Sequence, residues 1–130
     1  MVEKNINLLD GTNFMPALMP IIMMNSDALQ LTSEQKASFR DWRKKNYVNM
    51  VNVMNEIIEQ RIIFKKAALD TTTTNHSLVE MQNQILALQQ KLLAIKLSCR
   101  QLLVEKFTDE QWDNFAFIVS DNPKLAVFFN

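Results

Sequence analysis

Leu31-Thr32-Ser33-Glu34-Gln35 and Phe107-Thr108-Asp109-Glu110-Gln111 are two versions of one phrase, and their reading decides the fold. In each, a threonine is followed three residues later by a glutamine, with acidic residues between. This is capping-box chemistry: the threonine hydroxyl accepts from the N3 amide, and the glutamine side chain reaches back to the cap amide. Acids in the first turn interact favourably with the helix dipole. Each phrase therefore starts a helix, and the two starting threonines lie 76 residues apart.

Downstream of Thr32 a helix is predicted from Ser33 to about Leu69, with Tyr47, Met50, Met54, Ile57 and Phe64 at helical spacing and Val51, Ile58 and Ile62 beside them. Asp70 and the run Thr71–Thr74 stop it, because β-branched hydroxyl residues suit a connection better than a helix interior. Ser77 with Glu80 reads as a third capping box, opening a helix from about Ser77 to Lys106. Here Leu78, Met81, Ile85, Leu88, Leu92, Ile95, Cys99 and Leu102 alternate spacings of three and four, an a/d seam that Leu86, Leu93 and Leu103 widen. Phe107 is placed to staple onto Trp112 across the Thr108 cap. Asn122-Pro123 should open a last short turn, leaving Val127, Phe128 and Phe129 in need of cover. Upstream, residues 1–12 read as irregular, with a turn at Asp10-Gly11. Asn13 is a candidate cap for a helix over about 15–29, in which Pro16 suits the first turn and Pro20 either kinks the helix or moves its start to Met19.

The expected architecture is all-α: a single domain over residues 13–130, built on a long antiparallel helical hairpin with short flanking helices. Thirty-odd residues per arm give lengths of roughly 45–55 Å. The open end of the hairpin carries both Thr-x-x-Gln phrases, so they are expected to be neighbours. A thin hairpin cannot bury all its apolar surface, so dimerisation or an exposed apolar flank must absorb the rest.

Composition agrees. One glycine and three prolines in 130 residues are too few for tight β-hairpins, and they exclude phosphate-cradling glycine loops. The net charge is zero, but residues 36–106 hold twelve Lys/Arg against six Asp/Glu, while each flanking stretch holds one against four. Such a basic middle suits complementarity within or between subunits, or acidic clients. Arg40, Arg43, Lys44 and Lys45 cluster without any nucleic-acid-binding motif, so no nucleic-acid partner is expected. The longest apolar stretch, Phe14 to Met24, is broken by two prolines and is too short to span a bilayer.

Catalytic apparatus is not visible, since no nucleophile sits near the single histidine, His76; neither an enzyme nor a cofactor is expected. His76 and Cys99 do not form a zinc spacing. Met15, Met19 and Met23 fall at i, i+4 and i+8 with Met24 adjacent, which leaves two readings: adaptable packing, or a thioether site for Cu(I). Cys99 reads as a buried thiol in the seam, or as one half of a disulfide across a dimer axis.

Two Leu-Thr-x-x-Gln-like phrases bracketing a long helical hairpin resemble the Spy/CpxP family of periplasmic proteins, named for an LTXXQ motif. Leu31, Thr32 and Gln35 match the motif fully. In the second copy Phe107 takes the leucine place, so Thr108 and Gln111 carry over, followed by Trp112. The resemblance covers about residues 26–118. It implies a cradle-like antiparallel homodimer in the periplasm, with any export leader removed ahead of residue 1. It also implies ATP-independent binding of unfolded clients or an accessory role beside an envelope-stress sensor, the alternative being a metal-binding or metal-sensing protein of the same fold. The motif residues are expected to be structural. Arg40, Arg43, Lys44 and Arg61 are the candidates for charged client contacts, and Tyr47, Met50 and Met54 for adaptable apolar ones.

Overall fold

The computed structural model describes residues 13–121, in which the helices are α1 (Leu18–Met24), α2 (Ser33–Ala68), α3 (Asn75–Lys106) and α4 (Asp109–Asp121). The described residues contain no strand. The expected irregular segment 1–12 and the Phe-rich tail lie outside them.

Pro20 explains why α1 is short. It occupies the third helical position, where no intrahelical N–H bond is required, so a helix beginning at Leu18 accommodates it; the helix ends at Met24 instead of covering 15–29. Its cap position is Ala17, with no side-chain bond, and Asn13 is engaged elsewhere. After α1 the chain turns back through Gln30, which has φ 53°. This turn carries Leu29 and Leu31 inward, both buried.

Helix α2 starts where the sequence places it, with both halves of the Thr32 capping box formed. Its stop is an Asx turn: the Asp70 carboxylate accepts from the Thr72 amide at 2.9 Å and the Thr72 hydroxyl at 2.7 Å. The start of α3 differs from expectation. Thr74 is the cap and its hydroxyl accepts from the Ser77 amide, so Ser77 lies inside the helix at N3 and Glu80 faces His76 at 3.1 Å. With the Asx turn already reversing the chain, the last threonine of the run is free to cap, and α3 gains two residues at its front.

Two apolar clusters hold the helices. The first joins Leu18, Met19, Ile21, Ile22, Leu29 and Leu31 to Phe39 of α2, to Cys99 and Leu103 of α3, and to Phe107, Phe115 and Val119. Phe107 is its hub, edge-on to Phe39, Trp112 and Phe115 with centroids 5.8, 5.7 and 6.0 Å away. The second runs along the two long helices, with Met50, Val53, Met54 and Ile57 against Ile85, Leu88, Leu92 and Ile95. Along these helices the partners run in opposite order: Gln35 meets Lys106, Phe39 meets Phe107, and Trp42 donates to Ser98 Oγ at 3.0 Å. Each fully buried aliphatic side chain is worth about 1.5–3 kcal/mol, against about 1 kcal/mol for a cap. The clusters supply the stability, and the caps set where the helices begin.

Candidate functional site

The two Thr-x-x-Gln phrases meet. Each glutamine first closes its own capping box: Gln35 Oε1 accepts from the Thr32 amide at 2.9 Å, and Gln111 Oε1 from the Thr108 amide at 3.0 Å. The two amides then bond each other reciprocally. Gln35 Nε2 donates to Gln111 Oε1 at 2.7 Å, and Gln111 Nε2 donates to Gln35 Oε1 at 2.9 Å. The remaining N–H of Gln35 goes to the Lys106 carbonyl at 2.8 Å, and that of Gln111 to the Leu29 carbonyl at 3.3 Å. Each amide thus makes two donations and two acceptances, its full capacity. Leu31 and Phe107, the residues preceding the two threonines, are buried in the first cluster. Asn114 adds a bond to the Ala28 carbonyl at 3.0 Å, so α4 is fastened to the turn after α1. This is a structural junction: it holds no group poised to react.

A second feature lies on α2. Arg40, Lys44, Tyr47, Val51, Ile58, Ile62 and Lys65 follow one another at spacings of three, four and seven, and so share one stripe of the helix. Arg40, Lys44, Tyr47, Ile62 and Lys65 are exposed, while Val51 and Ile58 are half-buried. The stripe contains no acid, whereas Asp41, Glu56 and Glu59 point from other sides of the helix. It offers a cationic and apolar surface. Of the expected client contacts, Arg40, Lys44 and Tyr47 belong to it. Arg43 is half-buried, with its Nε enclosed and unpartnered among the described residues, and Arg61 is half-buried at the stripe's edge. Met50 and Met54 are 4% and 1% exposed, packed in the second cluster, so they are core side chains and not surface contacts. Sequence spacing did not separate Tyr47 from Met50 and Met54, and it missed Val51, Ile58, Ile62 and Lys65 as a surface. The signal was present in the absence of acids along that register.

The methionine face does not assemble as the spacing suggests. Met15 precedes α1, Met19 is buried in the first cluster, and Met23 is partly exposed, so they are not three turns of one helix. Among the described residues no three His, Cys, Asp or Glu side chains come together as a metal site. Cys99 is 2% exposed, inside the first cluster. Burial pushes its thiol up to about 12, with a backbone hydrogen bond involving Met19 acting in the opposite sense. So enclosed a sulfur cannot meet a second copy without the cluster opening.

A third feature was not foreseen. Asn13 is buried against the middle of α3, donating to the Gln89 carbonyl at 3.1 Å and to Gln89 Oε1 at 2.9 Å, and accepting from Lys96 Nζ at 3.1 Å. The residue that local chemistry marks as a cap has a better use as a partner for a buried lysine. Among the described residues, no helix is long and apolar enough to cross a membrane.

Compared with protein-family models, with curated proteins and with solved structures, the chain finds no significant match.

Proposed function

We propose that this protein is an ATP-independent binding protein for unfolded or misfolded chains, working in the periplasm without cofactor or catalysis. In this reading α2 and α3 form a long antiparallel hairpin, and two copies associate as a cradle-like antiparallel dimer that presents the α2 stripe to clients. The observation that carries the proposal is that stripe, an acid-free band of Arg40, Lys44, Tyr47, Ile62 and Lys65 exposed along α2. Exposed apolar groups give contact area, and flexible cations give attraction to the acidic stretches of a partner. The mutual bonding of the two Thr-x-x-Gln phrases supports the likeness to LTXXQ-type proteins, because it gives both glutamines the structural role expected from the motif. An accessory contact to an envelope-stress sensor would use the same surface.

The test is suppression of aggregation of several chemically distinct unfolded proteins, without nucleotide and at near-stoichiometric ratios. Tyr47→Asp combined with Ile62→Asp should weaken suppression several-fold while leaving the far-ultraviolet dichroism intact, since both side chains are exposed. Unchanged suppression by that variant, or none by the parent, refutes the proposal.

A further inference from the structure

The seam that packs α3 into the second cluster is not the only regular series on that helix. On the side away from Ile85, Leu88, Leu92 and Ile95, Val79, Leu86 and Leu93 stand seven residues apart, as do Leu97 and Val104. Asn83, Gln90 and Arg100 fill the intervening steps, so the whole series alternates four and three. The side of a helix turned from its core ordinarily carries charge. Here most positions are aliphatic and the one charge is Arg100. Val79, Leu86, Leu97 and Val104 are between 44% and 58% exposed, and Leu93 is half-buried. The series extends for roughly 37 Å at 1.5 Å per residue, an apolar strip of the kind that marks an interface.

The order of the residues indicates what covers it. Read backwards, the series nearly reproduces itself. With a second α3 laid antiparallel, Val79 meets the partner's Val104, Leu86 meets the partner's Leu97, and Asn83 meets the partner's Arg100. At the centre Leu93 meets the partner's Gln90, with one such layer on either side of a two-fold axis. Ala87 and Ala94, both exposed, flank this centre and let the two backbones approach.

We propose that this face of α3 is the contact between two copies of the chain, packed antiparallel in that register. The proposal rests on the function given above only in taking two copies to associate, and it names the surface they use. Charge selects the direction. In a parallel pair Arg100 would stand against the partner's Arg100, a like-charge layer. In the antiparallel pair it stands against the partner's Asn83, one turn from the partner's Glu80. Sliding by one heptad leaves Val79 or Val104 outside the contact. Because α2 packs on the other side of α3, its exposed stripe stays open to clients.

The experiment uses full chains carrying Val79→Cys or Val104→Cys, both at exposed positions, while the enclosed Cys99 stays out of reaction. Each is treated with a short bismaleimide alone, and the two are treated together after subunit exchange. At least tenfold more covalent dimer from the mixture than from either variant alone is expected. Comparable yield from one variant alone overturns the antiparallel direction. No covalent dimer in a mixture that sedimentation shows to be dimeric overturns the face, as does a parent that stays a single chain at every concentration. A second pair of variants makes the same point by charge. Leu86→Glu with Leu97→Glu should raise the dimer dissociation constant at least tenfold, and mixing with Leu86→Lys/Leu97→Lys chains should restore association. An unweakened glutamate variant overturns the proposal. Suppression of client aggregation is measured separately on the parent, so failure of the client reading and failure of this face are told apart.

Discussion

Gln35 and Gln111 share a dense set of bonds, and replacement of Gln35 should be felt out of proportion to its size. Gln35→Ala removes a cap acceptor and orphans the Gln111 amide and the Lys106 carbonyl in a largely buried place. A loss of about 2–3 kcal/mol is expected, measured by urea unfolding. The double variant Gln35→Ala/Gln111→Ala should cost clearly less than the two single losses added, because either change alone already strands the other amide. Strict additivity would show the pair to be uncoupled. Gln30 stands in the left-handed region, which costs a residue bearing a Cβ roughly 1–2 kcal/mol. Gln30→Gly should therefore stabilise by up to about 1 kcal/mol, after the entropy of glycine is subtracted. A fall in stability on urea titration would mean that the Gln30 side chain contributes more than its backbone strain costs. At this scale the caps Thr32 and Thr108 were legible in the sequence because capping chemistry is local. Asn13 was not, since its partners Gln89 and Lys96 are 76 and 83 positions away and nothing near it signals them.

Among the elements, α3 was the most legible. From Ile85 to Cys99 the seam is buried as its spacing predicts, but at the C-terminal end Leu103 is fully buried and Leu102 only half. A straight helix drifts against a 3.5-residue repeat, and four-residue steps correct it, so the register slips by one where the first cluster takes over from the second. Leu92→Ala should cost about 2–5 kcal/mol, whereas Leu86→Ala, half-exposed, should cost far less; urea titration of both checks the assignment. Helix α1 was misjudged because apolar content alone does not set length; a proline at the third position and a turn closed by Asn25 do. The connection after α2 makes a pH prediction. Hydrogen bonds from the Thr72 side chain and backbone lower the Asp70 pKa below 3.8, so Asp70 contributes stability that is present above its unfolded value and lost as pH falls through the folded one. Asp70→Ala should thus be slightly less stable than the parent at neutral pH and converge with it only in acid below the lowered folded-state pKa, as thermal melts across pH would record.

For the molecule as a whole, the sequence pointed to an all-helical chain with more apolar surface than two slender arms can enclose. Apolar side chains do remain at the surface, Tyr47, Val48, Ile62, Ile63 and Leu86 among them. What spacing could not supply was their distribution. Core and surface stripes on α2 share the same three-and-four rhythm, and only the partner helix decides which becomes interior. The proposed dimer predicts a concentration-dependent mass in sedimentation equilibrium, left unchanged by Tyr47→Asp with Ile62→Asp because that stripe is turned to clients.

The glutamine pair has one more implication. It joins the turn after α1 to α2, the end of α3 and α4 without a single ionisable group, so neither acid nor salt has a handle on it, while the connection between α2 and α3 includes the Asp70 carboxylate. Loss of order in acid should accordingly be uneven, beginning at the connection near Asp70 and reaching the glutamines later, and hydrogen exchange followed down the pH scale would register that order.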